Sequence, residues 1–240
     1  QEANAEGKRE SKWLFYRRHA VDLELTTLQT WLEWFPETLM KYDSPMTGEY
    51  RCAHPSGDGT EVVIHLVMMG LETDEDIKKL KSLELSGAWG NEATQIPWKV
   101  HSTVYERLGR YPRACGGKKY PRLGLLMDTN SPHESNWWKR RSEDIRDENE
   151  EYFTQPPALL REWIERGDGV KGWKYTPNIG QRDGVWPAEN VENHNEGFAY
   201  WLNMVRTKDE DDIRTQVLNE YGLSVAGLPI YPEWKDGWHY

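Results

Sequence analysis

Apolar and polar positions fall in alternating blocks along this chain, short strand-like runs followed by stretches with helical spacing. KWLFYRR (12–18) is a compact apolar run ending on two arginines. VDLELTTLQTWLEWFPETLMKY (21–42) then places Leu23, Leu28, Trp31, Leu32 and Trp34-Phe35 at mostly helical spacing, with Pro36 as the break. EYRCAH and EVVIHLVMMG flank a loop of Pro, Ser, Gly and Asp, so residues 49–70 read as a hairpin with a buried second strand. TDEDIKKLKS (73–82) opens on Thr73 with Asp76 three positions later, close to a capping box.

LELSGAWGNEAT (83–94) reads as a buried strand that ends on Asn91-Glu92. A helix follows in PWKVHSTVYERLGRY, opened by Pro97 and closed by Gly109, and RLGLLMDTNSP (122–132) is a second buried strand with a polar end. SNWWKRRSEDIRDENEEY (135–152) reads as helical and YFTQPPALL (152–160) as a strand ending at Pro156-Pro157. This alternation implies an α/β fold with a mostly parallel sheet covered on both faces. Residues 166–187, rich in Gly and Pro, read as a flexible segment. NEGFAYWLNMVRTKDEDDIRTQVLNEYG (195–222) gives two helices split near Thr207, and the tail is extended.

Composition narrows the picture. No stretch approaches the roughly 20 apolar residues of a membrane span. Cys52 and Cys115 lack paired ligand spacing, which points to reduced thiols. A net charge of −10 argues against a general nucleic-acid binder and leaves only local basic patches to meet DNA. Thirteen Trp could serve stacking as well as packing.

In doubly wound sheets ligands bind beyond the carboxyl ends of the strands, where Glu92 and Asp128-Thr129-Asn130 both fall. A carboxylate on one strand that polarises water, with a polar group on its neighbour that senses phosphate, is the pairing used by nucleoside-triphosphate hydrolases. Solvated loop starts would look the same. The only candidate phosphate cradle, ACGGKKY (114–120), fails the GxxxxGK[ST] pattern, and the seven histidines form no HExxH.

The order of RRHAVDLELTTLQTWLEWFP, GLETDEDIKKLKSLELSGAWGNEA, ERLGRYP, LLMDTNSPHESNWW, AEN and EYGLSVAGLPIYPEWKDGWHY resembles the large terminase subunit of tailed bacteriophages, the ATPase that drives DNA into the capsid. The resemblance implies a RecA-like (ASCE) P-loop NTPase core over 1–165, incomplete at its N-terminus, and a small helical lid and linker over 166–240. A strand and P-loop would precede residue 12, a nuclease domain would follow residue 240, and this piece alone would be inactive.

Residue by residue, the resemblance makes Glu92 the Walker B catalytic carboxylate and sets Asn91 where many such strands carry a magnesium-binding Asp. Asn91 and Glu92 would then hold Mg2+ through water, and Asn91 with Arg17 would contact ATP. Thr129 and Asn130 match the coupling motif, Arg17 a nucleotide-sensing arginine, Arg107 and Arg110 arginines for a subunit boundary, and Lys81 the neighbourhood of a trans-acting finger. Implied partners are double-stranded DNA held by its backbone, a portal protein, a small terminase subunit and further copies in a ring, in the host cytoplasm and away from membranes. Two other readings stay open: a metal-dependent hydrolase or nuclease using Glu92 and Asp128, and a non-catalytic Trp-rich binding or assembly module.

Overall fold

The protein is described from a computed structural model, which covers residues 3–112, 124–165, 167, 169–180 and 184–223. Cys115, the ACGGKKY loop and the GLPIYPEW tail lie outside the described residues. The chain divides into two compact units, Gln1–Thr129 and Asn130–Tyr240. The division falls after Thr129, whereas the sequence reading sets its boundary at residue 165.

The first unit is built on a six-stranded sheet in the order β2-β3-β4-β1-β5-β6. β1 (Lys8–Arg17) leads into α1 (Ala20–Asp22), a π-helical turn at Leu23–Thr27, and α2 (Leu28–Trp34). Phe35-Pro36 stops that helix, and the residues beyond form β2 (Leu39–Lys41), which hairpins into β3 (Met46–Ala53) and then β4 (Glu61–Gly70). β1, β4, β5 (Gly87–Gly90) and β6 (Gly124–Met127) are mutually parallel, so the expected α/β class holds, with an antiparallel edge. Among the described residues β6 has β5 as its one neighbour.

Period-two alternation in the strands separates two apolar layers. Leu14 and Tyr16 of β1, Val67 and Met69 of β4 and Ala88 of β5 face α3 (Asp74–Lys81) and α4 (Trp98–Tyr105), whose Leu80, Val100 and Val104 complete that core. Trp13, Phe15, Leu66, Met68 and Trp89 face the other way, onto Leu23, Leu28 and Trp31. Thr73 and Asp76 do form the full capping box of α3.

In the second unit, α5 (Trp137–Lys139) and a π-helical turn at Arg140–Asp144 replace the long helix expected over 135–152. The Asp147 carboxylate accepts the Asn149 backbone N–H at 2.9 Å, a local bond that competes with helix continuation. The flexible segment expected over 166–187 is also corrected. β7 (Leu159–Glu165) and β8 (Lys171–Pro177) form an antiparallel ribbon separate from the main sheet. Alternation in KGWKYTP was hidden by the Gly and Pro around it. Pro156 and Pro157 precede the strand because they cannot donate to its ladder. Leu159 packs with Ile213, Val217 and Leu218 against α6 (Phe198–Thr207) and α7 (Glu210–Gln216). Arg161 crosses the surface of this unit to Glu210 and Glu220, both at 2.6 Å.

Gly70 closes β4 against the start of α1, where a Cβ would meet the Ala20 backbone nitrogen at 2.5 Å. Because backbone cannot yield as a side chain can, Gly70→Ala is expected to destabilise the protein by roughly 1–3 kcal/mol in chemical denaturation.

Candidate active site

Tyr16, Gly90 and Met127 share one rung of the parallel sheet. The next residue of each strand, Arg17, Asn91 and Asp128, therefore stands side by side at the carboxyl end. β1 connects to β4 on one side and β5 to β6 on the other, so the row straddles the point where the connections diverge. Such a point opens a crevice for ligands in an open α/β sheet.

Asn91 joins the row. Its Oδ1 accepts from Arg17 Nη1 at 3.2 Å and from Thr27 Oγ1 at 3.1 Å, and its Nδ2 donates to Asp128 Oδ2 at 2.8 Å. Donors on one side and a carboxylate on the other fix which way the amide points. Arg17 Nη1 also donates to Thr26 Oγ1 at 3.0 Å, whereas its buried Nε has no hydrogen-bond partner. The second Asp128 oxygen accepts the Trp89 indole N–H at 2.5 Å. The backbone repeats the connection: Asn91 N–H donates to Tyr16 C=O at 2.9 Å, and Asp128 N–H to Gly90 C=O at 3.1 Å.

Glu92 follows this row in a left-handed conformation, φ 52° and ψ 47°, which an L-residue with a side chain adopts at a cost. It caps a 3-10 turn, Ala93–Gln95, whose Ala93 N–H donates to Asp128 C=O at 3.0 Å. The side chain is half-buried. Burial pushes its pKa up from the ordinary 4.5 and the Asp128 charge pushes the same way, while Arg17 pulls it down. A half-buried carboxylate whose pKa is raised by burial, beside an arginine, is a stronger proton acceptor than an exposed one and can act as a general base. On the neighbouring strand end, Thr129 Oγ1 lies 2.7 Å from Thr94 Oγ1.

The structure thus brings together Arg17, Asn91, Glu92, Asp128 and Thr129. Asn130 opens the second unit. Lys81 and Arg110 fall at the other end of β5: Arg110 N–H bonds Leu85 C=O at 3.1 Å, and the Lys81 carbonyl accepts Arg107 Nη1 at 2.9 Å. Arg107 thereby ties the end of α3 to the end of α4. Thr27, Trp89 and Thr94 gather at the site with no motif to announce them, although Trp89 has the strand parity of residues facing α2 and Thr27 ends the π-helical turn that leads into it.

A Mg2+ ion fits Asn91 poorly, because the oxygen it would use already accepts an arginine and a threonine. Both Asp128 oxygens likewise accept N–H donors, and among the described residues no group of three His, Cys, Asp or Glu side chains is placed to hold an ion.

The large terminase of the thermophilic bacteriophage D6E aligns over 84% of this chain at 11% identity and a TM-score of 0.38. The same terminase in complex with ADP aligns at a TM-score of 0.35, and with ATP-gamma-S at 0.33. The chain spans 63% of the length of the first of these and 62% of the others. No protein-family model and no curated protein matches.

A folded-state pKa above 4.5 means that Glu92 binds its proton more tightly in the folded protein than in the unfolded chain. The stability this gives is fully present below 4.5 and is lost as pH rises through the folded-state value. Glu92→Gln, neutral throughout, should therefore raise the melting temperature relative to wild type at about pH 8 and bring little gain at about pH 4. Thermal melts across this range measure the difference.

Proposed function

We propose that this chain forms the catalytic-carboxylate half of an ATPase that drives double-stranded DNA, the engine of a phage DNA-packaging terminase. The observation that carries the reading is the row Arg17, Asn91, Asp128 at the carboxyl ends of three parallel strands, with the raised carboxyl of Glu92 beside it. Glu92 takes a proton from the attacking water, and Arg17, one of whose nitrogens has no hydrogen-bond partner, answers the charge on the phosphate. Thr129, bonded across to Thr94, passes the phosphate state toward Asn130.

The phosphate cradle in this reading comes from a further strand added along β6, where the sheet is open among the described residues. Magnesium comes with the triphosphate, whose charge it neutralises. Contacts to DNA run to backbone phosphates, which suits movement along the duplex without reading it. A portal protein, a small terminase subunit and further copies in a ring complete the assembly proposed, in the host cytoplasm. Among the described residues no helix is long and apolar enough to cross a membrane. The metal-dependent nuclease reading, using Glu92 and Asp128, needs a third ligand that the described residues do not place beside them.

ATP hydrolysis stimulated by double-stranded DNA, measured on the intact polypeptide carrying this chain, tests the proposal. Glu92→Ala should lower kcat by about 100- to 10,000-fold while nucleotide binding persists. Hydrolysis at the wild-type rate in that variant would falsify it, and DNA cleavage without ATP that depends on Asp128 would favour the nuclease.

A further inference from the structure

Tyr16 and His101 are both fully buried, and neither belongs to the strand-end row. Tyr16 lies on β1 one residue before Arg17, and His101 lies in the middle of α4. The Tyr16 hydroxyl is 2.6 Å from His101 Nδ1, and His101 Nε2 is 3.0 Å from the carbonyl of Ala93, the residue after Glu92. Burial pushes the tyrosine pKa up and the histidine pKa down, so both stay neutral.

Neutrality gives the chain one direction. A carbonyl can only accept, so Nε2 carries the imidazole proton; Nδ1 is then an acceptor, and the tyrosine hydroxyl must donate. Ala93 is consequently gripped at both ends, its N–H by Asp128 C=O and its C=O by His101. The Tyr16 ring also presses on Gly90, where a Cβ would come within 2.7 Å of it. The left-handed backbone at Glu92 sits between these two constraints.

We infer that Tyr16 and His101 are positioning residues for Glu92, holding its turn in the strained conformation from which the carboxylate meets the attacking water. This rests on the hydrolase reading above. Neither side chain touches substrate. The role differs from simple core packing because it needs a donor at the position of Nε2, and a hydrophobic side chain of equal size would not serve.

Three variants of the intact protein test it. Tyr16→Phe keeps the ring against Gly90 and removes only the hydroxyl. His101→Leu removes both nitrogens, and His101→Gln retains an amide able to donate to the Ala93 carbonyl. In Tyr16→Phe and His101→Leu, kcat for ATP should fall about 10- to 100-fold with KM within about twofold, and His101→Gln should restore most of the rate. Amide hydrogen exchange at Ala93 and Ile96 should quicken in the two impaired variants while exchange at Val67 in β4 stays as in wild type.

Equal loss in His101→Gln and His101→Leu, or a KM that rises as kcat falls, overturns the inference. Tyr16→Phe decides alone should His101→Leu fail to fold. A wild type that hydrolyses no ATP, with these amides responding as expected, overturns the proposed function and leaves the hold on the turn standing. Hydrolysis indifferent to Tyr16→Phe and His101→Leu does the reverse.

Discussion

Everything at the candidate site depends on register between parallel strands. β5 and β6 are only four residues each, yet each is bonded so that its last residue stands level with Tyr16 of β1. Side chains alternate with period two, so a slip of one residue in β5 would turn Asn91 to the opposite face and carry Ala88 out of the core with it. Packing and chemistry are thus specified by the same hydrogen bonds. The aromatic rings of β1 reinforce the match, since Trp13 lies over Gly87 and Tyr16 over Gly90, leaving room for no side chain at either.

Within that frame the site is costly. A carboxylate is half-buried next to another acidic residue, and its backbone occupies a region that favours glycine. Strain of this kind, of order 1–3 kcal/mol, persists only where neighbours over-determine it. Here the neighbours are identifiable: the backbone bonds of Asn91 and Ala93 to adjacent strands, and the buried imidazole below the turn.

Much of the first unit was legible in the sequence because its signals are local and periodic. The capping box at Thr73, the helix break at Pro36 and the hairpin around Gly57 need only neighbouring residues to form. Glu92 stood out for a similar reason, as a charge closing an apolar run. What joins it was not legible. Thr27 reaches Asn91 across 64 positions of chain and His101 reaches Tyr16 across 85, and no spacing rule connects residues so far apart. The β7-β8 ribbon escaped because Gly and Pro clusters read as flexible, although Trp163 and Trp173 pair across it. Lys81 and Arg110 look close to Glu92 in sequence, but a strand separates its two ends in space, and they lie at the other one.

The bond from Trp89 to Asp128 links the apolar layer under the sheet to a carboxylate of the site. The indole is held edge-on against Phe15, at 5.2 Å between ring centres, while its N–H reaches the Asp128 carboxylate at the strand ends. One end of the ring system is thus anchored in the core and the other reads the charge and position of a site residue. Fluorine-labelled tryptophan would place one of thirteen resonances on this indole, identified by its loss in Trp89→Phe, and so open a spectroscopic window on the strand ends that needs no bound nucleotide.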